Sequence, residues 1–293
     1  MSSQTLRALL ISMRPKQWLK NVLIFTALVF DEKLLDPQAL LATFFGFVLF
    51  CLISSSVYLS NDITDVEADR QHPNKRKRPI ASGALPISVA RWAFILLLLI
   101  AIPLAYLLSP GFCIILLVYF VLNLSYSRWL KHIVIIDVFV LASFYVLRVV
   151  AGLTLIEVTR FSPWLYVVTT LLALYIGLGK RRAELTLLSE EAHTHRRVFG
   201  GYTIPLLDQY ITIISATTIV AYSLYTFSAP NLPDNNAMML TIPFAIYGIL
   251  RYLYLVQTNQ GGGAPEEELF TDRPLQITIV LWGLTVLLIL YLF

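Results

Sequence analysis

Residues 58–86 place acids and bases in an order that suits one kind of ligand. The stretch contains Asn61-Asp62-x-x-Asp65-x-x-x-Asp69, followed by Lys75-Arg76-Lys77-Arg78. No proline or glycine interrupts it before Pro73, so a helix reaching Asn61 is expected to run on to about His72. At about 100° per residue, Asn61, Asp62, Asp65 and Asp69 then fall within an arc of roughly 100°. Carboxylates this close repel one another, and a counter-cation relieves the cost. Carboxylate and amide oxygens with room left for water and phosphate suit magnesium, so these four residues are the candidate metal ligands. The basic run suits the rest of such a ligand, a diphosphate bridged to the acids through the metal and gripped directly by Lys75 and Arg78. Asp65, Asp69, Lys75 and Arg78 are the expected catalytic set. Glu67 points elsewhere and is expected to be solvated, and Arg76 and Lys77 suit lipid headgroups equally well.

The elements that position these residues are membrane helices. The chain has 293 residues, is 57% hydrophobic and only 14% charged, with a mean hydropathy of +0.72. Soluble domains carry about 25% charged residues, so disorder, a disulfide scaffold and an ordinary soluble enzyme are excluded. Cys51 and Cys113 sit in apolar runs and read as small core residues. No cleavable signal peptide is read at the N-terminus. Apolar stretches fall at 17–31, 38–60, 87–108, 111–127, 133–155, 163–179, 206–228, 237–257 and 274–293, which predicts an all-α, polytopic membrane protein of about nine helices in a single domain, 1–293. With the N-terminus taken as cytoplasmic, 19 of the 22 Lys and Arg lie on that side. Only Lys33 and Arg160 lie opposite, and Arg148 lies within a span. The positive-inside rule therefore expects a cytoplasmic N-terminus. The long polar connections 61–86 and 180–205 share that face, so chemistry is expected there. Gly261-Gly262-Gly263 and Glu266 to Glu268 read as a solvated loop without a role.

The stretch Asn61 to Asp69, with His72-Pro-x-Lys75-Arg-x-Arg78-Pro-Ile-x-Ser-Gly83, closely resembles the first motif of the UbiA superfamily of intramembrane prenyltransferases. That resemblance implies a nine-helix bundle whose aspartate-rich loops bind magnesium and a diphosphate substrate. Those enzymes have a second aspartate row between helices six and seven. Here the place reads Gly177-Leu-Gly179-Lys180-Arg181-Arg182-Ala-Glu184, with one acid and three bases. Fewer metal ions and more bare phosphate would be held there, which favours joining two phosphorylated substrates. The pattern is similar to the decaprenyl-phosphate phosphoribosyltransferase branch, as are Arg14-Pro-Lys16-Gln-Trp18-Leu-Lys20-Asn21, Tyr126-Ser-Arg128-Trp-Leu-Lys131-His132 with Asp137, and Arg148-Val-Val-Ala-Gly152. It spans about residues 13–225 and is weak over the last two helices.

The branch implies transfer of a 5-phosphoribosyl group from phosphoribosyl diphosphate to a polyprenyl phosphate in the cell (inner) membrane. Diphosphate is released, and the product feeds lipid-linked arabinose donors for the cell envelope. Magnesium is the implied cofactor, no nucleic acid is expected as a partner, and a homo-oligomer is possible. Lys20, Asn61, Asp62, Lys75, Arg78, Tyr126, Lys131, Arg148, Lys180, Arg181 and Glu184 are the candidate substrate-binding residues. Asp137 and Arg148 lie in one span, about 16 Å apart along its axis. Intramembrane charges usually face a polar cavity, and a structural pairing of each with neighbouring helices is the other reading. His193 and His195, beside Glu190 and Glu191, read as a solvated loop rather than a zinc site. Two other classes stay open. A true prenyltransferase would want the second acidic row that is missing. A transporter would more often show internal repeats and a site at the midplane.

Overall fold

The computed structural model describes residues 2–158, 162–188, 200–230, 232–258 and 271–292. Among these residues there are helices and turns but no strand. The chain begins with α1 (Ser3–Ser12), then 3-10 turns over Pro15–Phe25 that pass into the short α2 (Thr26–Phe30). There follow α3 (Pro37–Thr64), α4 (Val66–Gln71), α5 (Ile87–Leu108), α6 (Pro110–Arg128), α7 (Ile136–Leu153) and α8 (Pro163–Leu188). The last three are α9 (Ile204–Ser228), α10 (Ile242–Thr258, entered by 3-10 turns from Ala237) and α11 (Arg273–Leu292).

Among the described residues eight helices are long and apolar enough to cross a membrane. They coincide with eight of the nine expected spans to within a few residues, apart from the end of α8. The protein is a multi-pass integral membrane protein. Starts and stops follow local chemistry. Asp36 caps α3 by accepting from the N–H groups of Gln38 and Ala39, with Pro37 at the first helical position. Thr203 caps α9 through the N–H of Leu206.

The ninth expected span, 17–31, is not one regular α-helix. The eleven residues Pro15–Phe25 are 3-10, a form rarely sustained for so long. Side-chain bonds take over where the regular ladder does not run. Trp18 donates to Ser55 Oγ at 3.0 Å, and the buried amide of Asn21 donates to Cys51 Sγ and Ser54 Oγ. Small residues on α3, Ser54 to Ser56, make that close approach possible. Gly152 on α7 completes it, because a Cβ there would stand 2.0 Å from the carbonyl oxygen of Ile24. Backbone cannot yield as a side-chain tip can. Gly152→Ala is therefore expected to cost roughly 1–3 kcal/mol through overpacking, read as a lower thermal midpoint in detergent. An unchanged midpoint would mean that the 15–25 segment is not held against α7.

The chain forms two compact units. One comprises Met1–Leu28, Lys33–Arg128 and Leu147–Glu157, and the other Val29–Glu32, Trp129–Val146 and Val158–Phe293. In the first, Ala8, Leu59, Ile80, Leu85 and Ala90 make a buried cluster that packs α1, α3, α5 and the connection 72–86 together. In the second, Val138, Leu174, Tyr175, Leu178, Leu207, Ile211 and Tyr252 pack α7, α8, α9 and α10.

Candidate functional site

The acidic row lies in the first unit. Sequence periodicity predicts an unbroken helix to about His72, but the helix is interrupted at Asp65, whose φ of −93° and ψ of 9° lie outside the helical region. The i to i−4 bonds on either side persist: Asp65 N–H donates to Asn61 O and Asp69 N–H to Asp65 O. Aspartate is a poor helix former with a side chain that competes for backbone partners. On a regular helix Asp62 and Asp69 would be separated by about 10 Å of rise. With the break, both reach the same nitrogen, Nη1 of Arg78, at 3.1 and 2.7 Å. Their carboxylates are 3% and 4% exposed. Asp65 faces solvent and makes no ion pair among the described residues.

Local chemistry aims Arg78. Pro79 pushes the preceding residue into extended backbone, and Arg78 has φ −62° and ψ 143°. The chain then turns back, with Ser82 N–H on Arg78 O and Leu85 N–H on Pro79 O. Gly83 sits at φ +83°, a conformation that favours glycine. His72 Nδ1 accepts the N–H groups of Asn74 and Lys75, which ties down the turn that presents Lys75. Lys75, Arg76 and Lys77 are exposed. Glu67 is solvated as expected, and pairs only with Arg70 on its own helix among the described residues.

Arg14 completes this cluster and was not among the expected site residues. It has a left-handed backbone, φ 53° and ψ 61°, uncommon for a side-chain-bearing residue and a sign of local strain. Its guanidinium lies 4.6 Å from the centre of the Tyr58 ring and donates to Asp62 Oδ1 at 2.6 Å. Two arginines and two aspartates thus alternate in one hydrogen-bonded set. Ser127, at the end of α6, donates to Asn61 Oδ1 at 3.0 Å and orients that amide. The signal for Arg14 lay in its motif, but nothing in linear spacing pairs residue 14 with residue 62.

Among the described residues no three His, Cys, Asp or Glu side chains form a closed metal cage. The donors nonetheless fit a magnesium ion shared with a ligand. They are hard oxygens, one carboxylate is solvent-facing, and magnesium usually takes one or two carboxylates together with substrate phosphates and water. Asn61, Asp65 and Asp69 could hold it, whereas Asp62 is paired with two guanidinium groups.

In the same unit Arg148 is buried. Its Nε donates to Asn21 Oδ1 at 2.8 Å and its Nη2 to Tyr119 OH at 3.2 Å, with the Phe50 and Tyr119 rings against it. These contacts are those of the structural reading. Lys20 and Tyr126 are both half-buried, on the 3-10 segment and at the end of α6.

The basic segment belongs to the second unit. It was expected in a loop after residue 179, but α8 continues to Leu188. Lys, Arg, Ala, Glu and Leu are all strong helix formers, so helix continues past the apolar span. Arg181 is 1% exposed and donates from Nε to Asp137 Oδ2 at 2.5 Å, and it also pairs with Glu184. Tyr202 donates to Asp137 Oδ1 and accepts the N–H of Ile135, both at 2.7 Å. Burial and then the Asp137 carboxylate push the Tyr202 phenol above the usual tyrosine range, so it remains a donor. Ile135 has φ 69°, and the bond from its N–H to Tyr202 holds that strained backbone. Arg182 pairs with Asp208 at 2.6 Å. Lys180 and Lys131 are half-buried and make no ion pair among the described residues. An apolar cavity of about 220 Å³ lies against Ile135, Val138, Leu174, Leu178, Tyr202 and Tyr210. His193, His195, Glu190, Glu191, Arg160, Gly261 to Gly263 and Glu266 to Glu268 lie outside the described residues.

Residues 22–271 match the model of the UbiA prenyltransferase family. The chain is 34% identical over 281 residues to the decaprenyl-phosphate phosphoribosyltransferase of Mycobacterium tuberculosis, covering 94% of this chain and 91% of that one. It is 32% identical over 287 residues to the enzyme of the same name from Corynebacterium glutamicum, covering 96% and 86%. Its fold is similar to that of a UbiA homolog from Archaeoglobus fulgidus bound to DMAPP and Mg2+, with a TM-score of 0.73 and 19% identity over 97% of this chain and 99% of the other.

Proposed function

This chain belongs to the UbiA prenyltransferase family, and we propose that it transfers a 5-phosphoribosyl group from phosphoribosyl diphosphate to a polyprenyl phosphate of the decaprenyl type, releasing diphosphate. The observation that carries the reading is the contrast between the two charged motifs. The first sets acids among arginines, with Asp65 facing solvent. The second has three bases and one acid in sequence; Arg181 pairs with Asp137 and Glu184 and Arg182 with Asp208, which leaves Lys180 as the base of that motif without an ion pair among the described residues. Acids and bases together suit a metal-bridged diphosphate, and a lysine without a carboxylate partner suits a bare phosphate. The names of the relatives, over most of both chains, support the same reaction.

In this reading Asn61, Asp65 and Asp69 hold magnesium, which when bound would neutralise the charge that builds on the departing diphosphate. Lys75 and Arg78 pair directly with diphosphate oxygens. The anomeric carbon gains oxocarbenium character, and the lipid phosphate oxygen attacks it. A phosphate monoester is already largely ionised near pH 7, so these residues need not include a strong base. Lys180 and Lys131, without ion pairs among the described residues, are the proposed ligands for a phosphate monoester. The first motif faces the cytoplasm, as the positive-inside rule requires, and the product enters lipid-linked arabinose donor and cell-envelope synthesis.

The test is incubation of the purified protein with ribose-labelled phosphoribosyl diphosphate, magnesium and polyprenyl phosphate. Label is expected to enter the organic phase only when the lipid phosphate is present. Label that stays aqueous, while a prenyl diphosphate is consumed with an aromatic acceptor, would overturn the reading in favour of prenyl transfer.

A further inference from the structure

Arg78 is the single described cation paired with Asp69, and it also serves Asp62, which has Arg14 as a second partner. Both carboxylates are almost wholly shielded from water, where an uncompensated charge is strongly unfavourable. A diphosphate is a stronger anion than either, and Arg78 is half-exposed on an extended backbone that follows the exposed Lys75, Arg76 and Lys77. If Arg78 turns to a diphosphate, the two acids respond differently. Asp62 keeps a guanidinium at 2.6 Å. Asp69 keeps none and must take another cation.

We propose that Arg78 is an exchangeable counter-ion: it neutralises Asp69 until a diphosphate draws it away, and a divalent cation then takes its place on Asp69, while Arg14 holds Asp62 outside the metal shell. The inference rests on the reading that this motif binds a metal with a diphosphate. It adds that metal and donor bind as a coupled pair, because each relieves the charge that the other would leave. It also explains why an arginine is kept in a left-handed conformation at position 14. Arg14 is a positioning residue that keeps Asp62 paired throughout the exchange.

The test uses Mn2+, observed by electron paramagnetic resonance, as the probe for the divalent site in the full-length, chelator-treated protein in detergent. No donor and no lipid are present. R78Q is expected to bind Mn2+ at least about tenfold more tightly than the unsubstituted protein, a gain of about 1.4 kcal/mol. Adding D69N should remove the gain, and adding D62N should leave it. If R78Q does not fold, R78K takes its place. Lysine keeps a charge but on a shorter, more strongly hydrated ammonium that pairs less well with a buried carboxylate, so a smaller gain is expected, again lost with D69N. Mn2+ affinity that is unchanged or weaker in the folded variant, or a gain that survives D69N, overturns the exchange. Calorimetric binding of phosphoribosyl diphosphate to the unsubstituted protein judges the proposed reaction separately, because the Mn2+ titration contains no donor.

Discussion

Replacing Asp65 with alanine is expected to abolish transfer, with a loss of at least about a hundredfold in kcat, the scale seen when one group that stabilises developing charge is removed. It should also make donor binding insensitive to magnesium. The same change should leave the thermal midpoint almost untouched. Asp65 is exposed and has no ion pair among the described residues, and surface substitutions usually fall within about 0.5 kcal/mol. That separation is the strength of the experiment. Asp62, three residues earlier, is buried between Arg14 and Arg78, so its loss takes the carboxylate from Arg14, leaves Arg78 with Asp69 alone, and would confuse chemistry with folding. Full activity in Asp65→Ala, measured with labelled donor, would remove the metal from this motif.

The second large effect is on stability. Arg181→Ala leaves Asp137 buried with Tyr202 as its remaining side-chain partner among the described residues. Breaking a buried ion pair from one side typically costs about 3–5 kcal/mol. Thermal unfolding in detergent is expected to show a drop of several degrees and a smaller monodisperse fraction. The double variant Arg181→Met with Asp137→Leu should recover most of it, because neither charge is then left alone. Arg181 was a candidate phosphate ligand by residue type. Its contacts with Asp137 and Glu184 instead give it a role in packing α8 against α7. A variant with an unchanged midpoint and a raised KM for one phosphorylated substrate would restore the ligand role.

Chain chemistry alone reaches a long way in this protein. Apolar runs of spanning length located eight helices, since the bilayer sets a minimum length that no solvent-exposed segment needs to meet. The acidic row, the basic run after it and the lysine-arginine motif at 180–182 were legible as motifs because they are local: residue type and spacing suffice to recognise them. Proline at 79 and glycine at 83 similarly announce the turn that carries Arg78.

Tertiary structure decided which of the charged groups have partners. Periodicity treated Asn61, Asp62, Asp65 and Asp69 as one equivalent face. The fold buries Asp62 and Asp69 on arginines 14 and 78 and leaves Asp65 in solvent. Three adjacent cations looked alike at 180–182, yet Arg181 is committed to Asp137, 44 residues away, and Arg182 to Asp208. The first apolar run seemed to be an ordinary helix until Gly152 and the small residues of α3 let it lie close as 3-10 turns. Apart from Asp69 on Arg78, nine residues on, the deciding contacts join residues at least 16 apart in the chain. Desolvation makes leaving one partner of such a contact alone cost far more than any local preference, and linear spacing carries no record of the partner.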